Sequence, residues 1–315
     1  MTKHDNDSLR VGIDIGGTFT DIVVMDAAGR VMEKKVSSTL DDYSLGIGQG
    51  MRELLAAHDI DPARIGEVVH ATTVATNAVL EGKGARTGLI TTAGFRDVLE
   101  FRRVRVPELY NLHYVKPKPL VPRSLRLEVR ERLASDGSVR VPLDEGTVRQ
   151  AGERLKKEKV EAVAICLLHA YANPAHERRV AEILKGILPA DVFVSCSHEI
   201  LPEMREYERT STTVVNAFLG PLMQNYLASL RSRLESLGIG GRLSVMQSNG
   251  SQMGVAAAIR KPAYLVESGP AAGVIAAARI AGQAGLNDVI TLDIGGTTAK
   301  TCLLYTSDAA DEGLG

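Results

Sequence analysis

The strongest constraint on the fold is a five-residue sequence that occurs twice. Asp-Ile-Gly-Gly-Thr begins at Asp14 and again at Asp293, an offset of 279 residues (293 minus 14). Each copy follows an apolar, β-rich run, and its two glycines suit a tight turn into a second strand, so each copy predicts a hairpin. An offset of this length is too long for a solenoid repeat and favours two lobes that begin alike.

The residue types of the repeat suit a nucleoside triphosphate. Two glycines let the backbone turn tightly and bring bare N–H groups against phosphate oxygens, and threonine hydroxyls add donors. An aspartate at the end of the strand can hold the hydrated Mg²⁺ that accompanies the triphosphate. A glycine turn capped by aspartate explains a single copy equally well. Two identical copies favour two hairpins that face each other across a cleft and bind one triphosphate.

The composition excludes several classes of protein. Of 315 residues, 44% are apolar and 24% are charged, which is typical of a soluble globular chain. The 37 Lys and Arg residues nearly balance the 38 Asp and Glu residues, so neither nucleic acid nor an anionic membrane is expected as a partner. Residues 1–10 are polar and no long apolar run follows, which predicts no secretion signal, no membrane-spanning helix and a cytoplasmic location.

The cysteines and histidines carry little functional signal. Cys166, Cys196 and Cys302 match no Cys-x-x-Cys spacing, so we expect them to be small buried hydrophobes. His70 and His169 each follow an apolar strand and are expected to be structural. The spacing of His, Cys and carboxylate residues predicts no transition-metal site.

Strands and helices alternate along the chain, which predicts an α/β fold. The chain begins with three β-rich runs at residues 9–14, 19–25 and 31–36, followed by a helix at 43–58, a strand at 65–70 and a helix at 74–81. The order is therefore βββαβα. Further strands are predicted at 87–91, 160–168, 192–195, 242–247, 264–267 and 289–293. A further helix is predicted to begin after Asp144, which caps it. Others are predicted at 174–187, at 203–237 with an interruption at Gly220-Pro221, and at 270–284.

The paired hairpins resemble the two phosphate loops of the actin, sugar kinase and heat-shock ATPase superfamily. Ser268-Gly269-Pro270-Ala271-Ala272-Gly273 precedes the second hairpin, as a small-residue interdomain helix does in that superfamily. In isolation this segment is equally typical of an ordinary, tightly packed helix. Its position just before the second hairpin favours the interdomain helix, which would act as a hinge between the two lobes. The implied fold is an actin-like, ribonuclease H-like ATPase lobe.

Five segments narrow the resemblance to the hydantoinase A and 5-oxoprolinase family (N-methylhydantoinase A-like). They are residues 16–21, 70–78, 94–100, 203–212 and 246–250, and the likeness spans residues 10–301. The resemblance implies ATP-dependent ring opening of a cyclic amide or imide such as hydantoin or 5-oxoproline. The carbonyl oxygen would attack the γ-phosphate, and water would then attack the phosphorylated imidate. It also implies a hydantoinase B-type partner subunit or a fused B region.

Three alternative functions remain open. Related family members carboxylate ketones with ATP. A sugar or other small-molecule kinase would share the phosphate loops, although the stretches around residues 70–100 and 203–250 do not resemble sugar-kinase loops. An ATP-driven chaperone or filament protein would use the nucleotide only as a conformational switch.

The resemblance assigns roles to the residues of both hairpins. Asp14 and Asp293 are the predicted catalytic residues and would hold Mg²⁺ through its waters. The predicted nucleotide-binding residues are Gly16, Gly17, Thr18, Thr20, Asp21, Gly295, Gly296, Thr297 and Thr298. Lys300 would either reach the nucleotide or be a solvated strand residue.

The candidate substrate residues come from three places in the sequence. Thr72, Thr73, Thr76 and Asn77 follow an apolar strand, where α/β folds usually bind ligands, although Thr72 or Thr73 could equally cap the following helix. Arg96 and Arg209 could orient an imide or form structural ion pairs. The ring that is accepted does not follow from these residues.

The predicted domain organisation has five parts. Residues 1–9 form a disordered tail, and residues 10–268 form the first lobe with an insertion at about 101–200, whose start, 101–123, is rich in proline. Residues 269–286 form the interdomain helix, and 287–301 begin a second lobe. Residues 302–315 resemble a translated sequencing adapter and are expected to be a non-native tail on a truncated second lobe. We therefore expect this fragment to be inactive alone, with the apolar residues of its last strand exposed or paired opportunistically.

Overall fold

The computed structural model describes residues 8–39, 42–103, 110–294 and 299–304. The strands are β1 (Leu9–Ile15), β2 (Phe19–Met25), β3 (Val31–Ser37), β4 (Ile65–Thr72), β5 (Thr87–Thr92), β6 (Arg126–Val129), β7 (Arg132–Leu133), β8 (Val139–Val141), β9 (Ala162–Cys166), β10 (Phe193–Cys196), β11 (Arg242–Met246), β12 (Gln252–Gly254), β13 (Val289–Ile294) and β14 (Ala299–Leu304). The helices are α1 (Tyr43–Ala57), α2 (Val74–Glu81), α3 (Val98–Phe101), α4 (Glu145–Lys157), α5 (Ala175–Lys185), α6 (Ser197–Ile200), α7 (Glu206–Ser236), α8 (Val255–Arg260) and α9 (Ser268–Gln283). The predicted α/β class and the opening βββαβα order are confirmed.

The chain divides into two compact units. Unit 1 comprises Met1–Asn77 and Gln224–Gly315, and unit 2 comprises Ala78–Met223. The predicted division into a lobe at 10–268, an insertion at about 101–200 and a second lobe from 287 stays a prediction. None of the helices in the described part of the chain is long and apolar enough to cross a membrane.

Unit 1 is built on a mixed six-stranded sheet with the strand order β12-β11-β4-β1-β2-β3. The first three strands form an antiparallel meander, and β4 and β11 add in parallel on the other side of β1. Strict alternation in β1 buries Leu9, Val11, Ile13 and Ile15 while the residues between them are exposed. This period of two matches a strand with one face on the core. Helix α1 begins at Tyr43 because the Asp42 carboxylate accepts a hydrogen bond from the Ser44 N–H at 3.0 Å.

Unit 2 is built on a parallel sheet with the order β10-β9-β5-β6. All five residues of β9 are buried, as expected for a parallel strand covered on both faces. Helix α4 begins after Asp144, whose carboxylate accepts from the Gly146 N–H at 2.9 Å, so the predicted cap is confirmed. Cys166 and Cys196 are buried free thiols, as expected, whereas Cys302 is partly exposed.

The predicted interruption of the long helix at Gly220-Pro221 is wrong. Helix α7 runs without a break through Pro221. A proline removes only one helical hydrogen bond, and burial of the surrounding Ala217, Leu219 and Met223 side chains outweighs that loss. Gly220 serves packing instead, because a Cβ atom there would lie 2.4 Å from the Phe193 ring.

The predicted strand at 264–267 is also wrong. The chain forms a 3-10 turn at Pro262–Leu265, because Pro262 fixes its own φ and the Tyr264 N–H closes the turn on Lys261 O at 3.1 Å. The proline-rich stretch begins at the last residue of the short helix α3. Of its described residues, 110–122 have no regular structure, and a 3-10 turn follows at Arg123–Leu125. Pro107 lies outside the described residues.

The second copy of the repeat forms the hairpin β13–β14. Its register pairs Asp293 with Lys300, the position at which β1–β2 pairs Asp14 with Asp21. Within the described residues, these two strands pair only with each other. The side chains of Ile290, Leu292, Ile294 and Leu303 are exposed, which was one of the two predicted outcomes.

Candidate functional site

The turn between β1 and β2 is closed by its own backbone. The Gly16 N–H donates to Phe19 O at 2.9 Å, and a Cβ atom on Gly16 would lie 3.2 Å from that oxygen, which favours glycine there. Gly17 is partly exposed and Thr18 is exposed. Their backbone N–H groups and the Thr18 hydroxyl are therefore accessible to an anion, as expected for a phosphate-binding turn.

Thr20 faces the interior beside this turn. It is buried, and its hydroxyl lies 3.0 Å from that of Ser38. Ser38 in turn donates its hydroxyl to Gly16 O at 2.9 Å and its N–H to Thr18 O at 2.9 Å. The hydroxyl of Thr20 thus helps to hold the turn in shape, and its predicted contact with phosphate stays a prediction.

Asp14 is surrounded by negative charge. It lies on the exposed face of β1, yet the protein around its carboxylate excludes enough water to raise its pKa to about 6. That value of about 6 also includes repulsion from the carboxylates of Asp21 and Asp293, which raises the pKa, whereas the Lys35 ammonium lowers it. Lys35 is paired with Asp21 at 2.6 Å. A hard divalent cation such as Mg²⁺, which prefers oxygen ligands, would offset this charge, so the residues present fit the predicted metal.

The N-terminal end of α9 lies against Asp14. A Cβ atom on Gly269 would lie 3.2 Å from the Asp14 carboxylate, so only glycine leaves that oxygen unobstructed. The Ser268 hydroxyl donates to Thr72 O at 3.1 Å and accepts from the Thr72 N–H at 3.3 Å. The partial positive charge at the start of this 16-residue helix therefore adds to the anion-binding character of the hairpin.

Ser268 and Gly269 were not predicted as site residues. Glu267, which precedes them, has a left-handed backbone with φ +64°. This conformation is costly for a residue other than glycine and is found most often near functional sites. The Ser-Gly-Pro sequence at the helix start was the available signal, but it was interpreted only as a hinge.

The predicted substrate residues of unit 1 join β1, α2 and α9. Thr72 accepts from the Val74 N–H at 3.0 Å, which closes a turn immediately before α2. Thr73 donates its hydroxyl to Ile15 O at 3.0 Å, and Thr76 accepts from the Glu267 N–H at 2.8 Å. Asn77 donates to the Thr73 hydroxyl at 3.4 Å. Each of these side chains thus has a structural partner, and their contact with a substrate stays a prediction.

The two predicted arginines belong to unit 2. Arg96 is partly exposed and its Nε lies 3.9 Å from Glu128. Arg209 is buried, and its Nη1 donates to Leu167 O at 2.8 Å and to the Ser197 hydroxyl at 3.3 Å. Arg96 thus forms the ion pair of the structural alternative, whereas the contacts of Arg209 are hydrogen bonds to uncharged groups. A role in orienting substrate stays a prediction for both residues.

The second hairpin is described only in part. Gly295, Gly296, Thr297 and Thr298 lie outside the described residues. Asp293 is exposed, and Lys300, directly opposite, places its Nζ 2.5 Å from the Glu267 carboxylate. Neither predicted role of Lys300 describes this contact, which is an ion pair with the residue preceding α9.

The family follows from two adjoining matches. Residues 10–188 match the hydantoinase/oxoprolinase N-terminal region, and residues 209–311 match the hydantoinase/oxoprolinase domain. The chain belongs to the hydantoinase/oxoprolinase family. The family predicted from the motifs is therefore confirmed.

The similar proteins include named enzyme subunits. The caprolactamase subunit alpha of Pseudomonas jessenii is 39% identical over 295 residues, covering 92% of this chain and 42% of that protein. The acetophenone carboxylase gamma subunit of Aromatoleum aromaticum is 35% identical over 326 residues, covering 94% of this chain and 42% of that protein. The 5-oxoprolinase of Saccharomyces cerevisiae is 29% identical over 332 residues, covering 92% of this chain and 25% of that protein.

Solved structures confirm the predicted actin-like ATPase-type fold. Nucleotide-free acetone carboxylase, described as ATP-dependent, matches with a TM-score of 0.87 at 29% identity, covering 94% of this chain and 44% of that chain. The ATP-dependent caprolactamase of P. jessenii matches with a TM-score of 0.84 at 38% identity, covering 93% of this chain and 43% of that chain. The chain thus spans less than half the length of these relatives.

Proposed function

We propose that this chain supplies the triphosphate-binding hairpins of an enzyme that hydrolyses a cyclic amide or imide with ATP. The observation that carries the proposal is Asp14, an aspartate of raised pKa that lies at a glycine turn and against the N-terminus of α9. The sequence around Asp14 recurs at Asp293, and the chain belongs to the hydantoinase/oxoprolinase family.

The turns position the triphosphate. The backbone N–H groups of Gly17 and Thr18 and the Thr18 hydroxyl would donate to phosphate oxygens, with Gly16 shaping the turn, and residues 295–298 are expected to do the same from the second hairpin. Asp14 and Asp293 would hold Mg²⁺ through its waters, and the ion would neutralise negative charge on the phosphates. Phosphoryl transfer depends on such positioning and charge neutralisation more than on a strong base.

The reaction proceeds in three steps. The amide carbonyl oxygen forms a bond to the γ-phosphorus as the bond to the bridging β–γ oxygen breaks, which releases ADP. Water then adds to the activated carbon of the imidate and the C–N bond breaks, so that the ring opens to an acyl phosphate with a free amino or carbamoyl group. A second water hydrolyses the acyl phosphate to inorganic phosphate and the free acid. Thr72, Thr73, Thr76 and Asn77 of unit 1 remain candidate substrate residues. Arg96 and Arg209 of unit 2 remain candidate groups for orienting an imide.

The similar proteins inform the partner and the substrate. Two of them are named as single subunits, which supports a B-type partner subunit or a fused B region for this protein. Caprolactamase and 5-oxoprolinase act on cyclic amides, and their similarity supports that substrate class. ATP-dependent carboxylation of a ketone is the second candidate, because the acetophenone carboxylase subunit is 35% identical. We place the enzyme in the cytoplasm.

The test uses the full-length enzyme purified together with the product of its neighbouring gene. ADP release is measured with hydantoin, 5-oxoproline, caprolactam, or a ketone with bicarbonate, and the ring-opened product is identified by mass spectrometry. We expect ADP release to depend on a cyclic amide and to match ring opening one to one. ADP release that depends only on a ketone and bicarbonate would establish the second candidate instead. Transfer of phosphate to a stable product such as a sugar would contradict both.

A further inference from the structure

A cluster of metal-binding side chain types lies in unit 2, at the carboxyl ends of β9 and β10. Glu177 comes from α5, Cys196 ends β10 and His198 lies in α6. One ligand atom from each residue lies within 4.8 Å of the other two. The side chain of Glu177 is fully buried and that of His198 is 9% exposed. The hairpin site in unit 1 uses none of these residues.

We propose that Glu177, Cys196 and His198 bind a zinc ion, with a solvent molecule as the fourth ligand. A carboxylate oxygen, a thiolate sulfur and an imidazole nitrogen form a donor set typical of Zn²⁺. Bond lengths of about 2.0–2.3 Å place the ligand atoms of a tetrahedral zinc site roughly 3.4–3.8 Å apart. Small side-chain rotations would therefore bring the three atoms into range.

The surrounding contacts already orient the Glu177 carboxylate. Its Oε1 accepts from the Leu167 N–H at 2.9 Å and from the Ser197 hydroxyl at 2.6 Å. Its Oε2 faces the imidazole of His198, whose Nδ1 lies 2.6 Å away. Oε2 also accepts from the backbone N–H of His198 at 3.0 Å, so backbone groups hold both oxygens while Oε2 faces the imidazole, and the carboxylate is fixed as expected for a metal ligand.

His198 presents its Nδ1 to the cluster. The Glu199 carboxylate lies 3.9 Å from Nε2, which is too long for a hydrogen bond, but its negative charge favours the tautomer with the proton on Nε2 and leaves Nδ1 to bind the metal. Zinc binding then displaces the thiol proton of Cys196 and replaces the hydrogen bond between His198 and Glu177. His198 is the partly exposed member, so the metal and the solvent ligand reach the cluster from its side.

The same contacts would also make a closed, metal-free hydrogen-bonded network, and the experiment must separate the two. The 315-residue chain is stripped of metal, and zinc binding is measured by competition with a chromophoric chelator. We expect one zinc ion per chain, and an affinity at least tenfold lower for Cys196→Ser and for His198→Ala. Cys166→Ser is the matched control, because it removes the other buried thiol, at the end of β9, and should leave the affinity unchanged.

Cobalt substitution supplies a second readout, because the spectrum of the wild-type chain does not depend on how any variant folds. Co²⁺ bound to the wild-type chain should show a thiolate-to-cobalt charge-transfer band in the near ultraviolet. The band should persist in Cys166→Ser and disappear in Cys196→Ser. Absence of the band from the wild-type chain, or zinc binding that Cys196→Ser does not weaken, would overturn the proposal and leave a hydrogen-bonded network.

Discussion

The two hairpins share a sequence but differ in their surroundings. In both, Asp-Ile-Gly-Gly-Thr joins two antiparallel strands in the same register. In β1, the alternating apolar residues are at most 2% exposed: Val11, Ile13 and Ile15. Their counterparts in β13 are 67–71% exposed: Ile290, Leu292 and Ile294. The hairpin is therefore a local property of the sequence, whereas burial depends on whether other strands and helices cover its apolar face.

The hairpins also differ in charge. Asp14 is opposite a second carboxylate, Asp21, whereas Asp293 is opposite the ammonium of Lys300. Like charges at paired positions of a sheet are destabilising, and opposite charges are favourable. Repulsion between carboxylates is therefore greater in the first hairpin, and under the proposed function a bound cation would relieve it.

The largest expected effect tests whether the two hairpins act on one triphosphate. Asp14→Asn and Asp293→Asn in the full-length enzyme should each lower substrate-dependent ATP hydrolysis about 10²–10³-fold, because each removes charge from the Mg²⁺ shell. The measurement is kcat/KM over a Mg²⁺ series, with circular dichroism to verify the fold. Near-wild-type turnover of either variant at limiting Mg²⁺ would show that its hairpin does not hold the metal.

The next effect tests the difference in burial. Ile13→Ala should destabilise the chain by about 2–5 kcal/mol, because it leaves a cavity in a packed core. Leu292→Ala, at the equivalent position of β13, should change the free energy of unfolding by no more than about 0.5 kcal/mol, because Leu292 is 67% exposed. Urea unfolding of both variants measures the difference. Equal destabilisation would mean that the apolar face of β13 is covered in solution.

The elements predicted correctly are those determined by nearby residues. The alternation of β1 and the cap at Asp144 depend on contacts within a few positions, which the sequence displays directly. Tyr264 was misassigned because its apolar neighbours suit a strand as well as a 3-10 turn, and only Pro262 distinguishes the two.

The contacts of the candidate site could not be predicted, because they join residues that are far apart in the sequence. The Ser38 partner of Thr20 is 18 positions away, and the contact of Gly269 with Asp14 joins residues 255 positions apart (269 minus 14). The cluster of Glu177, Cys196 and His198 forms only when α5 packs beside the end of β10. Sequence patterns identify the chemistry of such residues but not their neighbours, since the tertiary fold brings them together.

A smaller effect follows from the raised pKa of Asp14. In the folded chain this pKa is about 6, against an ordinary value of 3.8, so between these values the folded state holds a proton that the unfolded state has lost. The contribution of Asp14 to the free energy of unfolding therefore falls as pH rises from 4 to above 6. Thermal unfolding of the wild type and of Asp14→Asn across this range should show the decline only in the wild type. Parallel pH profiles would contradict the assignment.

The smallest expected effect concerns the lysine beside each hairpin. Lys35 lowers the pKa of Asp14, so Lys35→Met should raise that pKa above its value of about 6. Lys300→Met should leave it unchanged and cost no more than about 1 kcal/mol of stability, because its ion pair with Glu267 is partly exposed to solvent. Carboxyl-carbon NMR titration of Asp14 measures both variants. Lys34→Met is the matched control, since Lys34 pairs with Glu53 instead. An equal shift in the Lys34 and Lys35 variants would show that general surface charge, rather than the residue beside the hairpin, sets the pKa of Asp14.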